Sequence, residues 1–375
     1  MTSSASSTPQ PASQSTSQST SQPTSQRLLV YGATGYTGKL VLARAAELGI
    51  DVLASGRNAD KLKEVAAPYG FETCAVALED TARLHALLDD FSAVLHIAGP
   101  FSATSEPMVS ACLETNTHYL DVTGEIDVFE SIARRDEEAR RAGVVLLPGV
   151  GFDVVPTDCL AAHTATRVDA PRRLRLALAG MGGGVSRGTA KTAVESLGDG
   201  LTLRRGGILI KRPSGSLERH FDFGAGPARA VGMPWGDVAT AFYSTGIPDI
   251  EVYFALSGIT PAILRASRFF TPLLRTQAVQ DFLKRRVDAL PEGPTEEERT
   301  ATRTFILAEV EGEGGDVARS MLECPSGYAL TPIAALEATM RAANGQAEAG
   351  FQTPATAFGA DFVLDLDGCT RRDLD

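Results

Sequence analysis

The stretch Gly32-Ala-Thr34-Gly35-Tyr36-Thr37-Gly38 constrains this chain more than any other. It stands between an apolar run, Leu28–Tyr31, and an amphipathic segment that starts at Tyr36. A strand-to-helix turn that lets backbone approach a phosphate needs residues without Cβ, and the first helical amides then point at the anion. The spacing is G-x-x-G-x-x-G rather than the strict G-x-G-x-x-G, so the spacing alone is only moderately specific. Its place between a strand and a helix, in the first βαβ unit of the chain, gives it weight over a mere glycine-rich turn. Gly32, Thr34, Gly35, Tyr36, Thr37 and Gly38 are therefore candidate cofactor-binding residues.

The same rhythm continues after it. Asp51–Ala54, Glu72–Leu78, Ala93–Ile97, Tyr119–Val122 and Val144–Leu147 read as strands. Helices are expected near Tyr36–Leu48, Ala59–Tyr69, Thr81–Leu88, Glu106–Asn116 and Asp127–Ala142. Six strands alternating with helices at this spacing predict an α/β fold, a Rossmann-type doubly wound parallel sheet. Past Gly149 the rhythm breaks. Arg173–Ala179, Ile208–Arg212, Ile250–Leu256 and Phe305–Glu311 read as strands, and Gly312–Gly315 joins the last of them to Val317–Cys324 as a hairpin. With helices near Thr189–Leu197, Pro261–Thr276, Ala278–Leu290 and Thr331–Ala343, this is an α+β second domain.

A length of 375 residues also favours two domains. Residues 1–26 hold almost only Ser, Thr, Gln, Pro and Ala, with a four-residue echo, and cannot offset the entropy of ordering. The expected division is a disordered tail over 1–26, a dinucleotide-binding domain over 27–150 and an α+β substrate domain over 151–330. The C-terminal segment, 331–375, is the remainder.

A net charge of −11 argues against nucleic acid as partner, since phosphate backbones need a basic face. The five cysteines are scattered and never form C-x-x-C, and the five histidines lack metal spacing, so no metal is expected and reduced thiols suit a cytoplasmic protein. Phe254–Leu274 is apolar enough to suggest a membrane span, but Arg265, Arg268, Pro261 and Pro272 interrupt it, leaving peripheral membrane contact as the open alternative.

The end of the second strand bears on the cofactor. An acidic residue there receives both ribose hydroxyls of NAD. Here the strand runs into Ser55-Gly-Arg57-Asn58 instead. A guanidinium can clamp a 2′-phosphate that a carboxylate would repel, which points to NADP(H), with Arg57 as the clamp and Ser55 and Asn58 as further donors. After the fourth strand, Gly99, Pro100 and Phe101 are expected beside ribose or nicotinamide.

Together, Gly32–Gly38, Ser55-Gly-Arg57, Ala98-Gly-Pro-Phe101, Cys112, His118-Tyr119-Leu-Asp121, Thr123-Gly-Glu125 and Gly151-Phe-Asp153-Val-Val-Pro156-Thr-Asp158 resemble the saccharopine dehydrogenase-like oxidoreductases. Met233-Pro-Trp-Gly-Asp237, Ser244-Thr-Gly-Ile-Pro248 and Gly350-Phe-Gln-Thr-Pro354 are similar to stretches of short bacterial members. The resemblance implies a Rossmann domain, a second domain for substrate and dimerisation, a C-terminal segment returning to the first domain, and a nicotinamide cofactor. It also implies reduction or oxidation of a C=N or C=C bond of a small metabolite, since the family includes enzymes of amino-acid conjugates and trans-acting enoyl reductases.

A hydride donor leaves the protein to orient the substrate, exclude water and handle a proton. Asp121 and Glu125 follow the fifth strand and Asp153 the sixth, so all three fall at the strand ends where a ligand sits and are the candidate proton donors. Their bland readings are acids that cap or start the next helix. Arg187, Thr189 and Lys191, at an expected helix start, suit a substrate carboxylate. The rival reading is a nucleotide-binding scaffold of the same fold without turnover, which the absence of an unmistakable catalytic pair keeps open. A short-chain dehydrogenase is excluded because no tyrosine has a lysine four residues later.

Overall fold

The computed structural model describes residues 1–2, 27–180, 184–195, 200–255 and 276–375. Nearly all of the expected tail, the Phe254–Leu274 stretch and the helix at Pro261–Thr276 lie outside the described residues.

The first half runs β1 (Leu28–Tyr31), α1 (Tyr36–Glu47), β2 (Val52–Gly56), α2 (Ala59–Ala66), β3 (Glu72–Ala75), α3 (Thr81–Leu88), β4 (Ala93–His96), α4 (Phe101–Thr115), β5 (His118–Asp121), α5 (Ile126–Ala133), α6 (Asp136–Ala142) and β6 (Val145–Leu147). The second half runs α7 (Val155–Ala165), β7 (Pro171–Ala179), α8 (Arg187–Glu195), β8 (Leu201–Arg205), β9 (Ile208–Arg212), β10 (Glu218–Asp222), β11 (Pro227–Gly232), α9 (Asp237–Thr245) and β12 (Asp249–Phe254). It continues with α10 (Gln277–Asp288), α11 (Glu296–Ala301), β13 (Arg303–Gly312), β14 (Val317–Pro325), α12 (Gly327–Ala343), β15 (Gly350–Phe351), α13 (Pro354–Phe358) and β16 (Thr370–Leu374).

The first sheet has the order β15-β6-β5-β4-β1-β2-β3, with every pairing parallel. The strand order reverses between β1 and β4, and ligands of such sheets bind outside the carboxyl ends at that switch point. Alternation along β1 sorts its side chains by face. Leu28 and Val30 face a core shared with α1, α7, α12 and the second sheet, while Leu29 and Tyr31 face a core with α3 and α4. The shared core ties the two sheets into one body. Each fully buried Leu or Val contributes roughly 1.5–3 kcal/mol to that union.

The second sheet has the order β10-β11-β12-β7-β13-β14-β16, with β8 attached to β12 and β9 to β8. It is mixed: β7 pairs β12 in parallel and β13 antiparallel. Its outer face carries charge. Glu309 accepts from Arg175, Arg219 and Arg319, each at 2.8 Å, and these guanidinium groups hold its carboxyl below the usual range against the cost of its burial.

Three features differ from the sequence expectation. β15 adds a seventh strand beside β6, while β16 of the same C-terminal segment joins the second sheet at β14, so the segment serves both sheets. The helix expected over Asp127–Ala142 breaks at Arg134-Arg135, where the Arg135 guanidinium turns to Glu106 and Ser110 on α4. α4 itself begins at Phe101, a full turn earlier than Glu106, for a reason that lies in the site. Among the described residues, no helix is long and apolar enough to cross a membrane. Nor does any group of His, Cys, Asp or Glu among them have the arrangement of a metal site.

Candidate active site

The glycine turn closes tightly on β2: the amides of Gly32 and Ala33 both donate to the Ser55 carbonyl oxygen, at 2.9 and 3.2 Å. Gly32 has φ +96°, and a Cβ there would stand 2.6 Å from the Ala98 nitrogen. A Cβ on Gly38 would stand 2.6 Å from the Gly32 carbonyl oxygen, so α1 can lie this close to β1 only with glycine there. Gly35 precedes the helix, and no side chain caps this end. The first amides of α1, including those of Tyr36 and Thr37, are thus left for an anion. Thr34 and Thr37 are partly exposed beside them.

Tyr36 contributes to this site through its backbone only. Its hydroxyl donates to the Pro294 carbonyl oxygen and accepts from Arg299 at 2.9 Å, and its ring meets Tyr328 edge-on at 5.2 Å. A Cβ on Gly293 would fall 2.7 Å from that ring. Lys39 pairs with Glu292 at 2.6 Å. The chain around 292–299 therefore straps the second domain onto the start of α1.

At the end of β2, Arg57 is exposed and has no hydrogen-bond or ion-pair partner among the described residues. Asn58 caps α2, its Oδ1 accepting from the Lys61 amide at 3.0 Å. Ser55 corrects the sequence reading. It is fully buried and its hydroxyl donates to the Cys74 carbonyl oxygen at 2.8 Å, so it knits β2 to β3 and offers no donor to a phosphate.

Gly99 and Pro100 form the loop after β4 and are joined by a cis peptide bond. The Phe101 side chain is another correction. It is 9% exposed and packs edge-on against the His96 ring at 5.5 Å, within the core beside α4, so it is no platform for a nicotinamide. His96 is buried among Tyr31, Phe101 and Tyr119, and loss of hydration drives its pKa down to about 3.

Two of the three candidate acids hold the loops instead of facing the crevice. Asp121 is 0% exposed; it accepts from the Tyr119 hydroxyl (2.6 Å) and from the amides of Thr123 and Gly149 (2.9 Å each). Burial raises its pKa to about 6, against the pull of these three donors. Glu125 accepts from the amides of Phe101 and Ser102, both at 2.8 Å, and so caps α4. That contact explains why α4 starts at Phe101: the acceptors for its first turn come from another loop.

Asp153 is different. It is half-buried between β6 and α7, its carboxylate lies against Gly124 of the β5–α5 loop, and it makes no hydrogen bond among the described residues. Burial raises its pKa to about 6. Its neighbour on α7, Asp158, is a tether: it accepts from the Ser244 hydroxyl on α9 and from the Ala355 amide at 2.8 Å.

The expected substrate residues divide. Arg187 opens α8 and donates its amide to the Glu292 carbonyl oxygen at 3.0 Å. The Thr189 hydroxyl shares a hydrogen bond with the Tyr328 hydroxyl at 2.8 Å, beside Tyr36. Lys191 is a correction, since it pairs with Asp288 on α10 at 2.6 Å rather than pointing to the crevice. The sequence reading did not single out Asp237 and Thr240 on α9. Both are fully buried, and neither the Asp237 carboxyl oxygens nor the Thr240 hydroxyl find a partner. The one legible signal was Met-Pro-Trp-Gly-Asp ahead of a helix.

A switch-point crevice, an uncapped helix start behind two obligatory glycines and an unpartnered arginine at the next strand end define the class: a dinucleotide-binding α/β protein. Residues 28–147 match the family model described as the saccharopine dehydrogenase NADP binding domain, and the first domain belongs to that family. Over 90% of its length the chain is 24% identical to a saccharopine dehydrogenase-like oxidoreductase of Rattus norvegicus, covering 94% of that protein. It is 31% identical to a trans-acting enoyl reductase of Mycobacterium leprae, over 35% of this chain and 33% of that one. Apo saccharopine dehydrogenase (L-Glu forming) of Saccharomyces cerevisiae shares the fold at a TM-score of 0.62, with 12% identity, over 93% of this chain and 100% of that one. The chain is thus similar over nearly its whole length to a saccharopine dehydrogenase-like oxidoreductase, and its first domain matches the nucleotide-binding domain of that family.

Proposed function

We propose that this protein is an NADP(H)-dependent oxidoreductase that reduces, or in the reverse direction forms, a C=N or C=C bond of a small metabolite. One observation carries the reading: the amides at the start of α1 and the unpartnered Arg57 guanidinium lie at the ends of adjacent strands, β1 and β2, where a pyrophosphate and a 2′-phosphate would both be met. A nicotinamide bound there supplies the hydride. This chain's own residues do the rest. Gly32 and Gly38 let backbone reach the phosphates, Gly99 and Pro100 border the nicotinamide end, and Arg187 and Thr189 receive the substrate from the second domain. Asp153 gives up or takes the proton, since it alone of the three candidate acids is partly exposed and uncommitted. Its pKa of about 6 suits a group that must both hold and release a proton near neutrality. The five unpaired thiols suit a cytoplasmic location, and a homodimer is the expected assembly.

The commitment of Asp121 and Glu125 to backbone amides favours a second reading, a nucleotide-binding protein without turnover. Titration with NADPH and NADH, followed by fluorescence from Trp235, the sole tryptophan, tests the cofactor assignment. NADPH binding at least tenfold tighter (about 1.4 kcal/mol), with the preference lost in Arg57→Ala, is the expected result. Equal affinities, or a preference that survives Arg57→Ala, would remove the phosphate clamp. NADPH that binds but is oxidised by no imine or enoyl substrate would favour the second reading.

A further inference from the structure

The polar atoms of Trp235, Asp237 and Thr240 that lack partners fall within one short stretch at the start of α9. The Trp235 indole N–H, both Asp237 carboxyl oxygens and the Thr240 hydroxyl are all buried without a hydrogen bond among the described residues. Asp237 and Thr240 are three residues apart and share a face of the helix. An unpartnered carboxylate in such a place is costly, so the group stays protonated. The neighbouring Thr157 hydroxyl donates to the Val154 carbonyl oxygen at 3.0 Å, and its pull on the Asp237 carboxyl is outweighed by burial.

Gly236 brings this stretch to the crevice. A Cβ there would stand 3.3 Å from the Gly124 carbonyl oxygen, and Gly124 is the residue against which the Asp153 carboxylate lies. We propose that Asp153 and Asp237 form a carboxyl pair that holds one proton, with Asp153 at its partly open end and Asp237 as the buried reservoir. The proposal rests on the reading of Asp153 as proton donor.

The surroundings leave that proton to the pair. Burial raises the hold of both acids on it, and the charge of Asp153 raises that of Asp237 further. On α7, Asp158 adds a third negative group, already tied to Ser244 and Ala355. From β8, Arg204 reaches α9 but donates to the Val238 carbonyl oxygen at 2.7 Å and pairs with Glu130 of α5. On β12, Asp249 accepts from the Gly206 amide, and Glu251 is bound by Arg205 and Tyr253. No cation among these neutralises the pair. When a substrate atom takes the proton, the O–H bond of Asp153 breaks and its electron pair stays on the carboxylate. The pair is then doubly charged, and that state draws one proton back from solvent through Asp153 to Asp237.

Infrared spectra of the full-length protein across pH, without nucleotide or substrate, test the pair. At neutral pH the wild type should show a protonated carboxyl band that Asp237→Asn removes. In Asp153→Asn the same band should lose its proton about one pH unit lower or more, because the like charge is gone. Should Asp237→Asn not fold, the fluorescence of Trp235 replaces the band, its pH midpoint shifting between wild type and Asp153→Asn. No protonated band at neutral pH, or a midpoint that Asp153→Asn leaves in place, would overturn the pair while leaving the cofactor titration untouched. A pair that titrates as stated, in an enzyme that still turns over as Asp153→Asn, would instead refute the donor role of Asp153.

Discussion

The carboxylate of Glu125 spans the first turn of α4, its two oxygens 2.8 Å from the amides of Phe101 and Ser102. The residue that follows β5 thereby fixes the loop that follows β4, and the two loops border the crevice as one unit. An acid that read as a candidate proton donor is in fact what gives the crevice wall its shape.

Glu125→Ala should therefore act on stability first. Loss of such a cap costs about 1–2 kcal/mol, and Glu125→Gln, which keeps one acceptor, costs less. Urea unfolding measures both. A variant that unfolds like the wild type yet has lost all turnover would show the carboxylate to be chemical after all.

The glycines of the turn should separate by position. Gly38→Ala places a methyl 2.6 Å from the Gly32 carbonyl oxygen and 2.7 Å from the Ala33 Cα, and backbone cannot move aside cheaply. A loss of about 2 kcal/mol or more is expected. Gly35→Ala meets its neighbour at an ordinary 3.5 Å with φ −75°, and should stay within about 0.5 kcal/mol. Thermal unfolding of the two variants side by side makes the comparison.

Asp121 should make stability fall as pH rises. Its pKa is about 6 in the folded protein against 3.8 when free, so between these values the native state holds a proton that the unfolded chain has released. Its contribution is complete below pH ~4 and is lost as pH climbs through ~6, roughly 3 kcal/mol for a shift of about two units. Asp153, raised to about 6 as well, adds a similar slope. Asp121→Asn keeps an oxygen for the Thr123 and Gly149 amides, so it should fold and lessen the slope, leaving the part that the other buried acids, Asp153, Asp158 and Asp237, supply. Denaturant midpoints across this range that coincide for wild type and variant would contradict the assignment.

Lys191→Ala should be nearly silent. The lysine side chain is 40% exposed and paired with a still more open Asp288, and such surface pairs contribute at most about 1 kcal/mol. A large rise in KM with unchanged stability would return Lys191 to the substrate site.

What was legible in the sequence follows from local rules. The glycine turn sits where β1 ends and α1 begins because only residues without Cβ allow that approach, and the strand–helix rhythm set the parallel sheet. The absence of an acid at the end of β2 was visible for the same reason, since Arg57 occupies that place by sequence alone.

The fate of each polar side chain was decided elsewhere. Ser55 is taken by Cys74 across a strand pairing, Lys191 by Asp288 on a later helix, and Glu125 by a loop twenty-odd residues upstream. Burial, which sets whether Asp121, Asp153 or Asp237 keeps its proton, depends on two sheets sharing one core. Sequence by itself determined the backbone that can receive a dinucleotide, because steric permission at Gly32 and Gly38 is local. Only the tertiary structure decided which acids remain for chemistry, because hydrogen-bond partners and desolvation come from residues far apart in the chain.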